Sequence, residues 1–219
     1  MWAEVKDKLA ALRRTDPTFW TFGAESHRYR LDDALSVSQL EEVESQFGIR
    51  LPEEYRTFLL DMGSGGCGPM YGVFPLLKQD GAWLWDGDGA SLTTNPAAPF
   101  RHTAAWNLDG HPIWKSKPDE DDERFDSESF EDALEAWQEK FTEVYWDPKW
   151  TEGAICLCHH GCAKRSWLVV TGEERGNMWY DATADEEGLE PHSSPTAKRL
   201  TFFEWYTRWL DRSLEEIRS

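Results

Sequence analysis

The stretch Leu51 to Leu76, LPEEYRTFLLDMGSGGCGPMYGVFPL, constrains the fold more than any other part of the chain. Pro52 suits the opening of a helix, and Glu53 and Glu54 follow it where the helix dipole favours negative charge. Tyr55, Phe58, Leu59 and Met62 recur at helical spacing as one apolar face, and Gly63 ends the run. Four glycines within residues 63–68 open backbone angles closed to other residues, so the chain can turn sharply there. Tyr71 to Leu76 reads as the strand beyond that turn, with Pro75 marking an edge or a bulge.

Helices precede this joint. Trp2, Val5, Leu9 and Leu12 recur as an amphipathic stripe that Asp16-Pro17 closes. Residues 18–33 carry no clean period and read as an irregular connection. Ser38 with Glu41 forms a capping box ahead of Leu40, Val43 and Phe47, and Gly48 is placed to end that helix in the left-handed conformation. With so short a connection, this helix and the one after Pro52 should pack as a helical hairpin.

Beyond the joint, residues 78–112 look loop-rich, with turn chemistry at Asp86 to Gly89, Asn95-Pro96 and Asp109-Gly110. Lys117 to Glu123 reads as a solvated acidic loop. Phe130, Leu134, Trp137 and Phe141 then step along a helix that Asp147-Pro148 closes. Three short apolar runs, Ala154–Cys158, Trp167–Thr171 and Asn177–Asp181, are separated by glycine turns and predict an antiparallel meander. A final helix from about Thr201 to Arg218 presents Phe202, Tyr206, Trp209 and Leu210 on one side. This order of elements predicts an α+β fold. The expected organisation is an N-terminal helix and connection over residues 1–33, followed by one domain over 34–219.

Charge narrows the function classes. The 219 residues carry 41 acidic and 23 basic side chains, a formal charge of −18. That balance argues against nucleic acid, whose phosphates need a basic face, and against an anionic membrane surface. It favours basic partners, and it also simply keeps a chain with 13 tryptophans soluble. The N-terminus is too charged for a signal peptide or a membrane span, so a reducing cytoplasm with free thiols is expected.

Cys156, Cys158, His159, His160 and Cys162 crowd seven residues, a tempting zinc site. No second ligand pair appears elsewhere, and Cys156 and Cys158 alternate onto a strand face that belongs to the core. Cys67 follows the C-terminal end of a helix, where the dipole disfavours a thiolate. The glycine loop lacks the Gly-Lys-Ser/Thr ending of a phosphate cradle. Asp86 to Gly89 lacks the distant glutamate of a calcium loop. No cofactor is expected, and no catalytic residue stands out.

Taken together, Leu51-Pro52, Tyr55, Phe58, Leu59, Gly63, Gly65, Gly66, Gly68, Pro69, Tyr71 and Gly72 resemble the hallmark of the SUKH superfamily, which includes the Smi/Knr cell-wall regulator group. Gly161, Cys162, Leu168, Val169, Gly172, Gly176 and Trp179 are similar to its second half, as is Phe203-x-Trp205-Tyr206-x-x-Trp209-Leu210. The resemblance covers roughly Val37 to Ile217. It implies helices packed on a mixed, mostly antiparallel sheet. For bacterial members it implies non-enzymatic immunity proteins that bind and neutralise a polymorphic or contact-dependent toxin, often a basic nuclease. The acidic run then becomes the expected toxin contact: Asp119, Glu120, Asp121, Asp122 and Glu123, with Trp114 and Phe125 as aromatic anchors. Two rivals remain in view. One is a regulatory scaffold like the fungal members; the other is an enzyme using Cys67, or a metal held by Cys156, Cys158, His159 and Cys162.

Overall fold

A computed structural model describes residues 2–122 and 124–217. The chain is α+β. Six α-helices surround a two-stranded and a four-stranded sheet, among the described residues.

The N-terminal helix α1, Trp2–Thr15, buries Trp2, Val5, Leu9 and Leu12. The Trp2 indole donates to Thr57 Oγ1 at 2.8 Å, and its ring meets Phe58 at 5.4 Å and Tyr206 at 5.9 Å. A four-residue helix α2, Ala24–His27, lies in the connection that follows. Helices α3, Val37–Phe47, and α4, Glu53–Asp61, form the expected hairpin. The cap of α3 is not Ser38 with Glu41, however. Ser36 accepts from the Gln39 N–H, and the Gln39 side chain accepts from the Ser36 N–H. Both spacings match a capping box, and the residue before each cap decides between them. Ahead of Ser36 stands Leu35, buried like Leu40, which suits a hydrophobic staple; ahead of Ser38 stands Val37, an exposed residue.

Past α4 the glycine loop is a packed junction. Gly66 has φ +95° and pairs with both Leu31 and Val73, and a Cβ there would sit 2.6 Å from the Arg30 carbonyl. The Tyr206 hydroxyl donates to the Cys67 carbonyl, the Phe74 N–H donates to Leu157 O, and the Cys158 thiol donates to Pro69 O. One loop therefore joins the C-terminal helix, the N-terminal connection and the main sheet.

The strand expected over Tyr71 to Leu76 starts only at its last residue. Gly72, at φ +104°, and Pro75 interrupt the run, leaving Val73 as a single bridge. The strands β1, Leu76–Gln79, and β2, Ala82–Trp85, form a hairpin inside the region that read as loop. Asp80 and Gly81, both at positive φ, make its two-residue turn.

A 19-residue helix α5, Ser127–Tyr145, follows a 3-10 turn at Pro112–Ser116. The meander then appears as expected and gains a fourth strand. Its strands β3, Ala154–Gly161, β4, Lys164–Val169, β5, Met178–Asp181, and β6, Leu189–Pro191, are antiparallel throughout. Among the described residues the parallel component is confined to the isolated Phe100–Gly172 bridge. The last helix, α6, Phe202–Glu216, is capped by Thr201 and Glu204 and buries Phe202, Trp205, Tyr206 and Leu210. One continuous core takes in α1, α4, α6 and the inner faces of the strands.

Candidate functional site

The sequence motifs divide into buried and exposed sets. Cys67, Cys156 and Cys158 are fully buried, whereas Cys162 is exposed. Burial pushes the Cys156 thiol up to about 12 and drives Cys67 and Cys158 further in the same direction. At neutral pH these sulfurs are protonated and out of reach of a substrate. Among the described residues no group of three or more His, Cys, Asp or Glu side chains is arranged to hold a metal ion. His160 and His192 instead both reach the buried Ser166 hydroxyl, at 2.6 and 2.7 Å. His159 stacks on Tyr71, its Nε2 lying 3.4 Å from Asp88.

The exposed set centres on α5. Asp126 caps this helix by accepting from the Ser129 N–H at 2.9 Å. Only one edge of the helix is covered. Trp137, Phe141 and Tyr145, four residues apart, stack in succession at 5.2 and 5.3 Å, and Trp114 lies across the first two at 5.6 and 5.1 Å. Two indole hydrogen bonds pin the 3-10 turn beneath: Trp137 donates to Ile113 O and Trp114 donates to Leu108 O. Trp114 still leaves 38% of its surface exposed.

The outward face is acidic. Glu128, Glu131, Asp132, Glu135, Glu139 and Glu143 are all exposed, and none forms an ion pair with a described residue. Between positions 119 and 147 the chain carries thirteen of its 41 acidic residues and two of its 23 basic ones. In the sequence the loop stands out as an unbroken acidic run, whereas the carboxylates of the predicted helix are spaced apart and gather on one face only when it forms.

The loop residues differ among themselves. Asp119, Glu120 and Asp121 are exposed. Asp122 is clamped by Arg124, whose Nε lies 2.9 Å from both carboxylate oxygens, and that contact holds its carboxyl down near 2. It is thus partly neutralised. Phe125 is half-buried, packing edge-on to Phe130 under the Arg124 guanidinium. Glu123 lies outside the described residues.

The described surface of this region is thus an acidic helix standing on an aromatic strip. The SMI1 / KNR4 family (SUKH-1) matches residues 34–197, about three quarters of the chain. The chain belongs to that family. Membership supports an immunity or protein-interaction role of the generally non-enzymatic kind. No curated protein and no solved structure matches the chain. Among the described residues no helix is long and apolar enough to cross a membrane.

Proposed function

We propose that the protein is a non-enzymatic immunity protein that binds a cognate, basic bacterial toxin and blocks it, working in the cytoplasm. A nuclease is the toxin class whose charge fits best, because a surface that grips phosphates is itself basic. The observation that carries the proposal is the concentration of unpaired carboxylates on α5 and the preceding loop, set around the half-exposed Trp114. Asp119, Glu120 and Asp121 extend this face, Phe125 and Trp114 supply apolar contact at its edge, and Asp122 contributes less because Arg124 already engages it.

Opposed charge of this kind speeds encounter more than it tightens the final complex. The test is binding kinetics against the toxin domain encoded beside the protein, comparing wild type with Glu128→Gln, Glu131→Gln, Glu135→Gln and Glu139→Gln combined. The association rate should fall about tenfold or more at low salt, with a smaller change in dissociation. Equal association rates would remove this surface from the mechanism.

A further inference from the structure

Where α5 ends, the aromatic strip opens into a cavity of about 100 Å³ between the end of the helix and the outer face of β4 and β5. Trp106, Tyr145, Trp150 and Trp167 wall it, with Trp106 and Trp150 only 4.3 Å apart. The half-exposed Trp146 and Leu92 stand at its mouth.

The charge lining this cavity is unusual. Asp181 is 6% exposed, and its two carboxylate oxygens accept from the Trp167 indole at 3.0 Å and the Thr183 N–H at 2.9 Å. No cation among the described residues reaches it within ion-pair distance. Arg165, its neighbour on β4, also lines the cavity; its guanidinium is turned toward Ala163 and Asp88, and its buried Nε makes no hydrogen bond. The side chain donates to Ala163 O, lies 3.5 Å from Asp88, and packs its Nε against Gly89. Asp147 is taken by Lys149. The Tyr145 hydroxyl is buried beside the Gly188 N–H and makes no hydrogen bond of ordinary geometry. Burial is the main cause that pushes that hydroxyl up to about 12; the Gly188 N–H opposes it, and the nearby charges of Glu186, Asp181 and Asp109 add to it.

A buried carboxylate behind aromatic faces is the arrangement that takes up a delocalised cation, which gains from both the ring quadrupoles and the charge. Trp150 already has two cations of this chain near its ring, Lys149 at 4.5 Å and Arg101 at 5.3 Å from the ring centre. The volume corresponds to about three water molecules, which is room for a planar head group and not for a bulky ligand. The cavity also adjoins the last turn of α5, whose C-terminal dipole favours positive charge.

We infer that this cavity is the anchor for an arginine side chain of the basic partner. The guanidinium would lie against the aromatic wall, beside the closely packed Trp106 and Trp150, and hydrogen-bond Asp181 while the surrounding partner surface lies along α5. The proposal rests on the acidic helix being the partner's contact surface, and it adds the residue type that the partner must present.

The test begins with ethylguanidinium chloride, titrated at constant ionic strength while the indole N–H signals of Trp106, Trp150 and Trp167 are followed by NMR. Saturable shifts of these signals are expected, with affinity about tenfold or more weaker in Asp181→Asn. Leu92→Trp, at an exposed rim position, should block the shifts without disturbing the core. Urea unfolding of each variant separates lost binding from lost structure. No saturable shift, equal affinity in Asp181→Asn, or a stronger response to acetate than to ethylguanidinium overturns the proposal. With the toxin in hand, normal binding by folded Asp181→Asn alongside loss in the α5 variants would sink the anchor and leave the charged surface standing. Saturable guanidinium binding in the absence of any toxin binding would support the cavity as a cation site and sink the partner reading instead.

Discussion

Gly66 and Gly81 both hold positive φ, but only one is crowded. A Cβ at Gly66 would press on the Arg30 carbonyl at 2.6 Å, whereas one at Gly81 meets nothing within 4 Å. Gly81→Ala should therefore cost only the left-handed strain of about 1 kcal/mol, and Gly66→Ala more than about 2 kcal/mol, read as the shift in urea midpoint. Buried histidines set a second prediction. His27 and His102 are buried, and desolvation draws both down to about 4, partly offset by backbone hydrogen bonds. Below about 6.5 the unfolded chain takes up protons that these folded sites refuse. Stability is thus fully present above pH 6.5 and is lost as pH falls toward 4. Each histidine should contribute about 1–2 kcal/mol of loss between pH 7 and 5, and His102→Gln should flatten that slope in urea melts at the two pH values.

At the scale of elements, α1 is held by its packing. Trp2 sits among Phe58, Phe202, Phe203 and Tyr206, so Trp2→Ala should destabilise by about 3–5 kcal/mol with an unchanged urea m-value. Substitutions on the solvent face of α5, such as Glu135→Gln, should stay within about 0.5 kcal/mol by the same measurement. Element type was readable wherever apolar spacing ran long, as in α1, α5, α6 and the meander. It was less readable where local chemistry competed. Ser36 and Ser38 offer equivalent caps, and only the burial of Leu35 selects the first. The hairpin of β1 and β2 carries a turn signal at Asp80-Gly81, but its strands span only four residues each, too short for a clear alternation. The strand expected at Tyr71 failed because Gly72 and Pro75 take the backbone out of an extended ladder.

At the scale of the molecule, the charge of −18 is unevenly distributed, and the unevenness was legible in part. A run such as Asp119 to Glu123 is visible on the page, whereas six carboxylates spaced along a helix join it only when the helix is built. The aromatic cavity was not legible at all. Trp106, Tyr145, Trp150, Trp167 and Asp181 come from separate elements, and their convergence depends on the register of β4 against β5. A whole-molecule expectation follows from the charge: association with a basic partner should slow steeply as salt rises from 10 mM to 150 mM, because the Debye length shrinks over that range from about 30 to 8 Å. A rate independent of salt would mean that the acidic surface plays no part in encounter.

The one-sided attachment of α5 also bears on which positions of the chain can vary freely. Its anchorage lies along Trp137, Phe141 and Tyr145, so most of its remaining positions face water. Single substitutions at those positions leave the packing of the helix intact. The glycine junction, wedged between three parts of the chain, has no such latitude. Tolerance and intolerance of substitution thereby fall to different segments of a single polypeptide.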